Sequence, residues 1–239
     1  MTRVAVLAGG TSAGRALAAG LSDAGVAVAV LGEPGTEGTE GATAAPGTAL
    51  PCQLATRRQC AEALQRARDA LGGLDAVVDA RVTPAATEPK PVSELDAEDF
   101  RQRTEVPLQR ALHVLQSAYR VLRTGGGGAV VLVVPSSSMT GVARLVPWIT
   151  AAEGARALAK AAARAWGPEG IRVNCLAVSI EVLAGSTSPL DRAGLPPPAL
   201  GHADLRRDAG PVLSALVGDG FRGATGQTVA VDGGVWMTP

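Results

Sequence analysis

The side chains in this chain that could move protons are few, and tyrosine is the scarcest. Of 239 residues one is a tyrosine, Tyr119, and the lysines are Lys90 and Lys160 alone. A phenol becomes a usable proton donor when an ammonium one helical turn away lowers its pKa. No Tyr-x-x-x-Lys occurs anywhere. Acid–base work is left to Asp79 in LDAVVDARV, the serine run Ser136, Ser137 and Ser138, and Glu153, which precedes the Ala-rich stretch GARALAKAAARAW. Two carboxylates in a partly dry cleft divide acid and base roles when their environments separate their pKa values. The plainer roles are a local ion pair of Asp79 with Arg81, and for Glu153 a carboxylate favoured by the dipole at a helix start. His113 falls in a helical pattern and His202 in an irregular stretch, where both read as surface or boundary residues. Cys52, Cys60 and Cys175 are odd in number and lack metal-ligand spacing, so buried thiols are expected and no metal site.

A second group could hold an anion. The apolar run RVAVL passes into AGGTSAG, and backbone N–H groups of such a turn at a helix start can cradle a phosphate. Gly9, Gly10, Ser12 and Gly14 are the candidates, and a tight strand-to-helix turn with Ser12 as helix cap is the alternative.

The elements that must position these residues follow an alternating pattern. Apolar, β-rich runs recur at residues 3–7, 26–31, 74–78, 129–134, 171–177 and 228–231, with amphipathic helical spacing between several of them. That alternation predicts a parallel sheet with helices on both faces. With 46% hydrophobic residues, the length fits a single α/β domain. Residues 33–51, rich in Gly, Thr, Ala and Pro, read as a mobile loop. Residues 181–210, with prolines at 196–198, read as a lid-like region with short helical pieces. The net charge is zero, which offers no global positive field to nucleic acid or an anionic membrane. The N-terminus reads as a first strand rather than a signal peptide. The longest apolar run, residues 129–134, is far short of the ~20 residues of a membrane span. A soluble cytoplasmic protein is the expectation.

Four stretches, RVAVLAGGTSAGRALA, LDAVVDA, GPEGIRVNCLA and GATGQTVAVDGG, resemble the short-chain dehydrogenases/reductases, in particular the 3-oxoacyl reductases. The resemblance covers nearly the whole sequence and implies a Rossmann-type doubly wound parallel sheet of about seven strands, commonly assembled as a tetramer. It also implies a site, and there the chain departs from the family. Aligning the first helix puts the three phosphate-loop glycine positions at Ala8, Ser12 and Gly14; aligning the strand makes Gly9 the first and leaves the loop one residue short. Glu33 follows Gly32 where a ribose contact is implied, and Gln53 stands where an aspartate meets adenine. Asp79, Ala80, Arg81 and Val82 replace Asn-Asn-Ala-Gly. The family tyrosine and lysine fall on Ile149 and Glu153, the serine on Ser136, the helix asparagine on Pro107, and Pro-Gly beside the nicotinamide on Val178 and Ser179.

These departures point to a catalytically degenerate member, a pseudoenzyme that assembles with an active relative. Residues 106–122 and 151–166 and the C-terminal VAVDGGVWM would form a homo- or hetero-oligomer. No cofactor is expected, NAD(P) being the one a vestigial loop would hold. A second reading is a dehydratase, isomerase or cyclase acting on a carbonyl or thioester through Asp79, Glu153 and Ser136. A third is an NAD(P)-dependent oxidoreductase that works without the Tyr/Lys pair.

Overall fold

A computed structural model describes residues 1–8, 11–32, 47–83, 87–184 and 197–237. The strands are β1 Arg3–Leu7, β2 Ala27–Gly32, β3 Thr48–Pro51, β4 Ala76–Asp79, β5 Gly128–Pro135, β6 Ile171–Val178 and β7 Thr228–Val231. All pairings are parallel, in the order β3-β2-β1-β4-β5-β6-β7. The helices are α1 Ser12–Asp23, α2 Arg57–Leu71, α3 Ala97–Phe100, α4 Val106–Thr124, α5 Val146–Trp166, α6 Ile180–Ala184 and α7 Gly210–Val217.

The strands are continuous apolar runs because both faces are covered. Val4, Val6, Val78 and Leu176 pack with α1 and α7, and Ala5, Leu7, Val77 and Cys175 with α2, α4 and α5. The first layer sits close. A Cβ on Gly20 would lie 2.5 Å from the Arg206 carbonyl oxygen and 2.8 Å from Gly210 Cα, so α1 and the start of α7 touch backbone to backbone. Arg206 adds an ion pair to Asp23 at 2.6 Å.

Prolines shape two helix starts. Pro107 has no N–H for the Arg103 carbonyl one turn earlier, and the chain before it forms a widened π turn, Arg101–Glu105, closed by the Val106 N–H on the Arg101 carbonyl. Pro211 follows the π turn Leu205–Ala209 in the same way. The C-terminal motif is fastened to β6 by side chains. Asn174 Nδ2 donates to the Ala224 carbonyl at 3.0 Å, its Oδ1 accepts the Gln227 N–H at 3.0 Å, and Thr225 Oγ1 accepts the Val173 N–H at 3.0 Å.

One expected irregular stretch is corrected at its end, and the other contains short helical pieces among its described residues. Within residues 33–51, Thr48–Pro51 is β3, paired to β2 from Ala29 to Gly32; residues 33–46 lie outside the described residues. Within 181–210, Ile180–Ala184 and Leu205–Ala209 are helical and Gly210 opens α7 against α1. Residues 185–196 lie outside the described residues. Apolar packing against α1 outweighs the loop-like composition at the second stretch. No described helix is long and apolar enough to cross a membrane.

Gly20→Ala should lower stability by about 1–3 kcal/mol through overpacking; calorimetry would show a fall in Tm, and an unchanged Tm would contradict the close α1–α7 approach. At the opposite edge, hydrogen bonds from Arg3 hold the Asp75 carboxyl below its ordinary 3.8. A carboxylate so lowered contributes stability above its unfolded pKa and loses it as pH falls through the folded value. Asp75→Asn should therefore cost roughly 0–1 kcal/mol at neutral pH for this half-exposed pair. In acid unfolding series the difference should shrink once pH drops below 3.8.

Candidate active-site cleft

The strand order reverses between β1 and β4, and in open α/β sheets ligands bind outside the carboxyl ends of the strands at such a point. Leu7 pairs with Asp79, so Ala8 and Ala80 leave the sheet side by side. Ala80 faces the α1 layer and Asp79 the α2/α4 layer.

Asp79 is buried, and Arg81 holds it in a two-pronged grip: Nε to Oδ1 and Nη2 to Oδ2, each at 2.7 Å. The same guanidinium donates to the Leu54 carbonyl at 2.9 Å and the Arg110 carbonyl at 3.1 Å. The local ion pair read from the sequence is present, and it ties β4 to the chain after β3 and to α4. Cys60 lies in this region, its thiol pushed up by burial.

At the first turn, Thr11 rather than Ser12 is the helix cap. Its hydroxyl donates to the Ala8 carbonyl at 2.9 Å and accepts the Gly14 N–H at 3.2 Å, while Ser12 is exposed. Gly14 has a packing role, because a Cβ there would sit 2.6 Å from both Cα and Cβ of Ala8. Gly9, Gly10 and Glu33 lie outside the described residues. Gln53 Oε1 accepts from the Gln59 side chain at 2.8 Å, and Gln59 with Thr56 forms the capping box of α2.

Beyond β5 the serine run splits. Ser136 and Ser137 are fully buried, with hydroxyls unpartnered among the described residues. Ser138 donates to Glu153 at 2.7 Å, and Arg156 grips the same carboxylate at 2.6 and 2.7 Å while reaching Thr228 Oγ1 at 3.1 Å. The serine that meets Glu153 is thus Ser138, not Ser136. Glu153 turns outward toward β7, whereas Ile149 packs half-buried among Leu145, Trp148 and Ile180 on the α1/α7 side. Ile149 and Glu153 lie one turn apart on α5 and so stand on the same side of that helix. Trp148 and Ala152, buried one turn apart beside them, are equally without acid or base. Asp79 and Glu153 belong to separate hydrogen-bonded groups, the first bonded to Arg81 and the second to Ser138 and Arg156.

Tyr119 is remote from all of this. It stacks on Trp166 with ring centroids 5.0 Å apart and donates to Glu169 at 2.8 Å, in the turn that leads into β6 at the opposite edge of the sheet. Lys90 pairs with Asp99 at 2.6 Å, and Lys160 is exposed. His113 meets the Ala55 carbonyl at 3.3 Å, and His202 is exposed. Burial in β6 pushes the Cys175 thiol up to about 11. No group of three or more potential ligands that could hold a metal occurs among the described residues. Thr11 and Arg156 were missed at the sequence level, where Ser138 was named only as part of the serine run, although the three-residue spacing of Glu153 and Arg156 is a legible helical pair.

Residues 7–236 match the family model described as enoyl-(acyl carrier protein) reductase. An uncharacterised oxidoreductase of Mycobacterium tuberculosis is 34% identical, the match covering 93% of this chain and 87% of that protein. The chain is a short-chain dehydrogenase/reductase. A further relative of this family member is 2,5-dichloro-2,5-cyclohexadiene-1,4-diol dehydrogenase of Sphingobium indicum, 27% identical with 97% and 95% of the two chains covered. Among solved structures, a protein from Thermus thermophilus is similar at a TM-score of 0.82 and 28% identity, with 98% of each chain covered. The seven-stranded parallel sheet is the one the resemblance implies.

In this short-chain dehydrogenase/reductase the Asp79–Arg81 pair is a structural fastening. Arg81→Ala should cost about 3 kcal/mol, because it leaves a buried carboxylate uncompensated, whereas Asp79→Leu combined with Arg81→Met should recover most of that loss. Denaturant melts of the three proteins decide it. Equal stability of Arg81→Ala and wild type would contradict the role.

Proposed function

We propose that this chain is a non-reducing member of its family, a companion subunit that assembles with an active short-chain dehydrogenase/reductase instead of turning over a carbonyl alone. The observation that carries this reading is the start of α5, where Trp148, Ile149 and Ala152 supply no proton donor and the Glu153 carboxylate is spent on Ser138 and Arg156. The chain's one tyrosine sits at the far end of the sheet. A positioned acid or base contributes typically ~10²–10⁴ in rate, so its absence alone removes most of the family chemistry.

The cofactor side supports the same reading. Arg81 takes the place of an implied small residue and its guanidinium is committed to three oxygen-bearing neighbours. The Gln53 side-chain oxygen serves the α2 start, and Gln53 brings no charge to an adenine. Dinucleotide binding is accordingly weak or absent, and no reaction step runs through it. For assembly, α4 and α5 leave Leu112, Ala157, Ala161 and Ala165 exposed, small enough on α5 for close helix packing. With Asp79 bonded to Arg81 and Glu153 to Ser138 and Arg156, neither carboxylate is free for a dehydratase-type reaction, which favours the companion-subunit reading.

The purified protein should show no NADPH-dependent turnover of 3-oxoacyl thioesters or simple ketones. Ile149→Tyr combined with Glu153→Lys should not restore it, because the cofactor side is independently altered at Gln53 and Arg81. Native mass spectrometry of the protein isolated from its own cells should show a second short-chain dehydrogenase/reductase chain in the complex. Turnover by the unmodified protein, or an assembly of this chain only, would contradict the reading.

A further inference from the structure

At the amino ends of β5 and β6, across the sheet from the cleft described above, the chain surrounds a cavity of about 630 Å³. Its polar lining is Thr2, Asp75, Arg172, Asp219, Arg222 and Thr225, with glycine backbone between them. Arg172, the second residue of β6, is half-buried and closes the end of α7: Nη1 donates to the Leu216 carbonyl at 2.8 Å and the Phe221 carbonyl at 3.2 Å, and Nη2 to the Gly218 carbonyl at 2.8 Å. A cation at a helix C-terminus is favourable, and these bonds fix the guanidinium in place. They leave it without a carboxylate in ion-pair contact among the described residues, and burial pulls its pKa down.

The other charges around the cavity do not balance Arg172. Both oxygens of Asp75 are taken by Arg3, Oδ1 by Nη2 at 2.6 Å and Oδ2 by Nε at 2.8 Å. Asp219 and Arg222 are exposed and meet loosely at 3.9 Å. Counting Arg3 with the carboxylate it neutralises, three guanidinium groups stand against two carboxylates, which leaves one positive charge. Donors are open as well. Arg172 Nε and the Thr2 hydroxyl make no hydrogen bond among the described residues, and the Arg222 fork is held by the 3.9 Å contact alone. Thr225, by contrast, is spent on the Val173 backbone.

A half-buried cation without a counter-charge, beside two further open donors in one cavity, suits an oxyanion. Three donors from separate elements match the outer oxygens of a tetrahedral group better than the two oxygens of a planar carboxylate. The cavity is several times larger than such a group, so an organic portion fits with it. We propose that this cavity binds a small phosphate monoester, with Arg172 as the fixed positive charge and Arg222 as the side chain that leaves Asp219 to grip the phosphate. The site is separate from the companion-subunit reading and does not depend on it.

The test is an NMR titration of the full-length labelled protein with glycerol 1-phosphate at constant ionic strength, with glycerol and acetate as controls. Saturable shifts are expected at the Gly170, Gly218 and Gly223 amides, with a dissociation constant of about 1 mM or tighter, glycerol silent and acetate weaker. Arg172 holds α7 in place, so the variants are made at the exposed pair. Arg222→Gln should weaken binding about fivefold or more, as loss of a charge-assisted bond does. Asp219→Asn should tighten it, because the arginine is released and a repelling charge is removed. Absence of saturable shifts, shifts centred on Gly14 at the opposite edge of the sheet, equal affinity of Arg222→Gln and wild type, or weaker binding by Asp219→Asn would overturn the proposal.

Discussion

A carboxylate at the end of a central strand in a doubly covered sheet has little water within reach, and Asp79 therefore needs its cation. Arg81 supplies it two residues later in the same turn. Because the guanidinium also takes the carbonyls of Leu54 and Arg110, one buried ion pair sets the spacing between β4, the chain after β3, and α4. Pairs of this kind add little net stability against an apolar replacement, but breaking one is expensive. Among the described residues at the topological switch point, Asp79 and Arg81 are thereby committed to holding layers together.

The other side of the cleft is committed in a different way. The chain after β5 runs through Val142, Leu145 and Trp148 into α5, and these side chains join the core beneath α1 and α7. Glu153, one turn on, faces outward and is neutralised by Arg156, which is in turn anchored on β7 through Thr228. Acid–base chemistry needs a titratable group facing a partly dry space with its capacity unspent. Among the described residues the start of α5 offers none, since Trp148, Ile149 and Ala152 do not titrate and Glu153 is bonded to Ser138 and Arg156.

The fold was legible because its signals are periodic and local. The runs at residues 3–7 and 228–231 became β1 and β7 without change, and the motifs IRVN and GATGQT stand out because Asn174 and Thr225 join them directly. β3 was absorbed into a loop because TALP is a short, exposed edge strand with no apolar alternation to reveal it. Within residues 181–210 short helical pieces were expected but not their bounds, because the start near residue 205 takes its order from the Gly20–Gly210 contact, which no local pattern encodes. At the site, Asp79 and Arg81 could be paired from sequence since they are two residues apart. The choice of Ser138 over Ser136 depended on how a four-residue turn rotates its side chains, and the engagement of Glu153 by Arg156 on how α5 lies beside β7. Spacing alone carries neither.

The most direct measurement is a calorimetric titration of the purified protein with NADH and with NADPH. No saturable heat is expected up to millimolar nucleotide with either one, since Arg81 is committed where the cofactor would need room. A dissociation constant in the micromolar range for either nucleotide would contradict a non-reducing role.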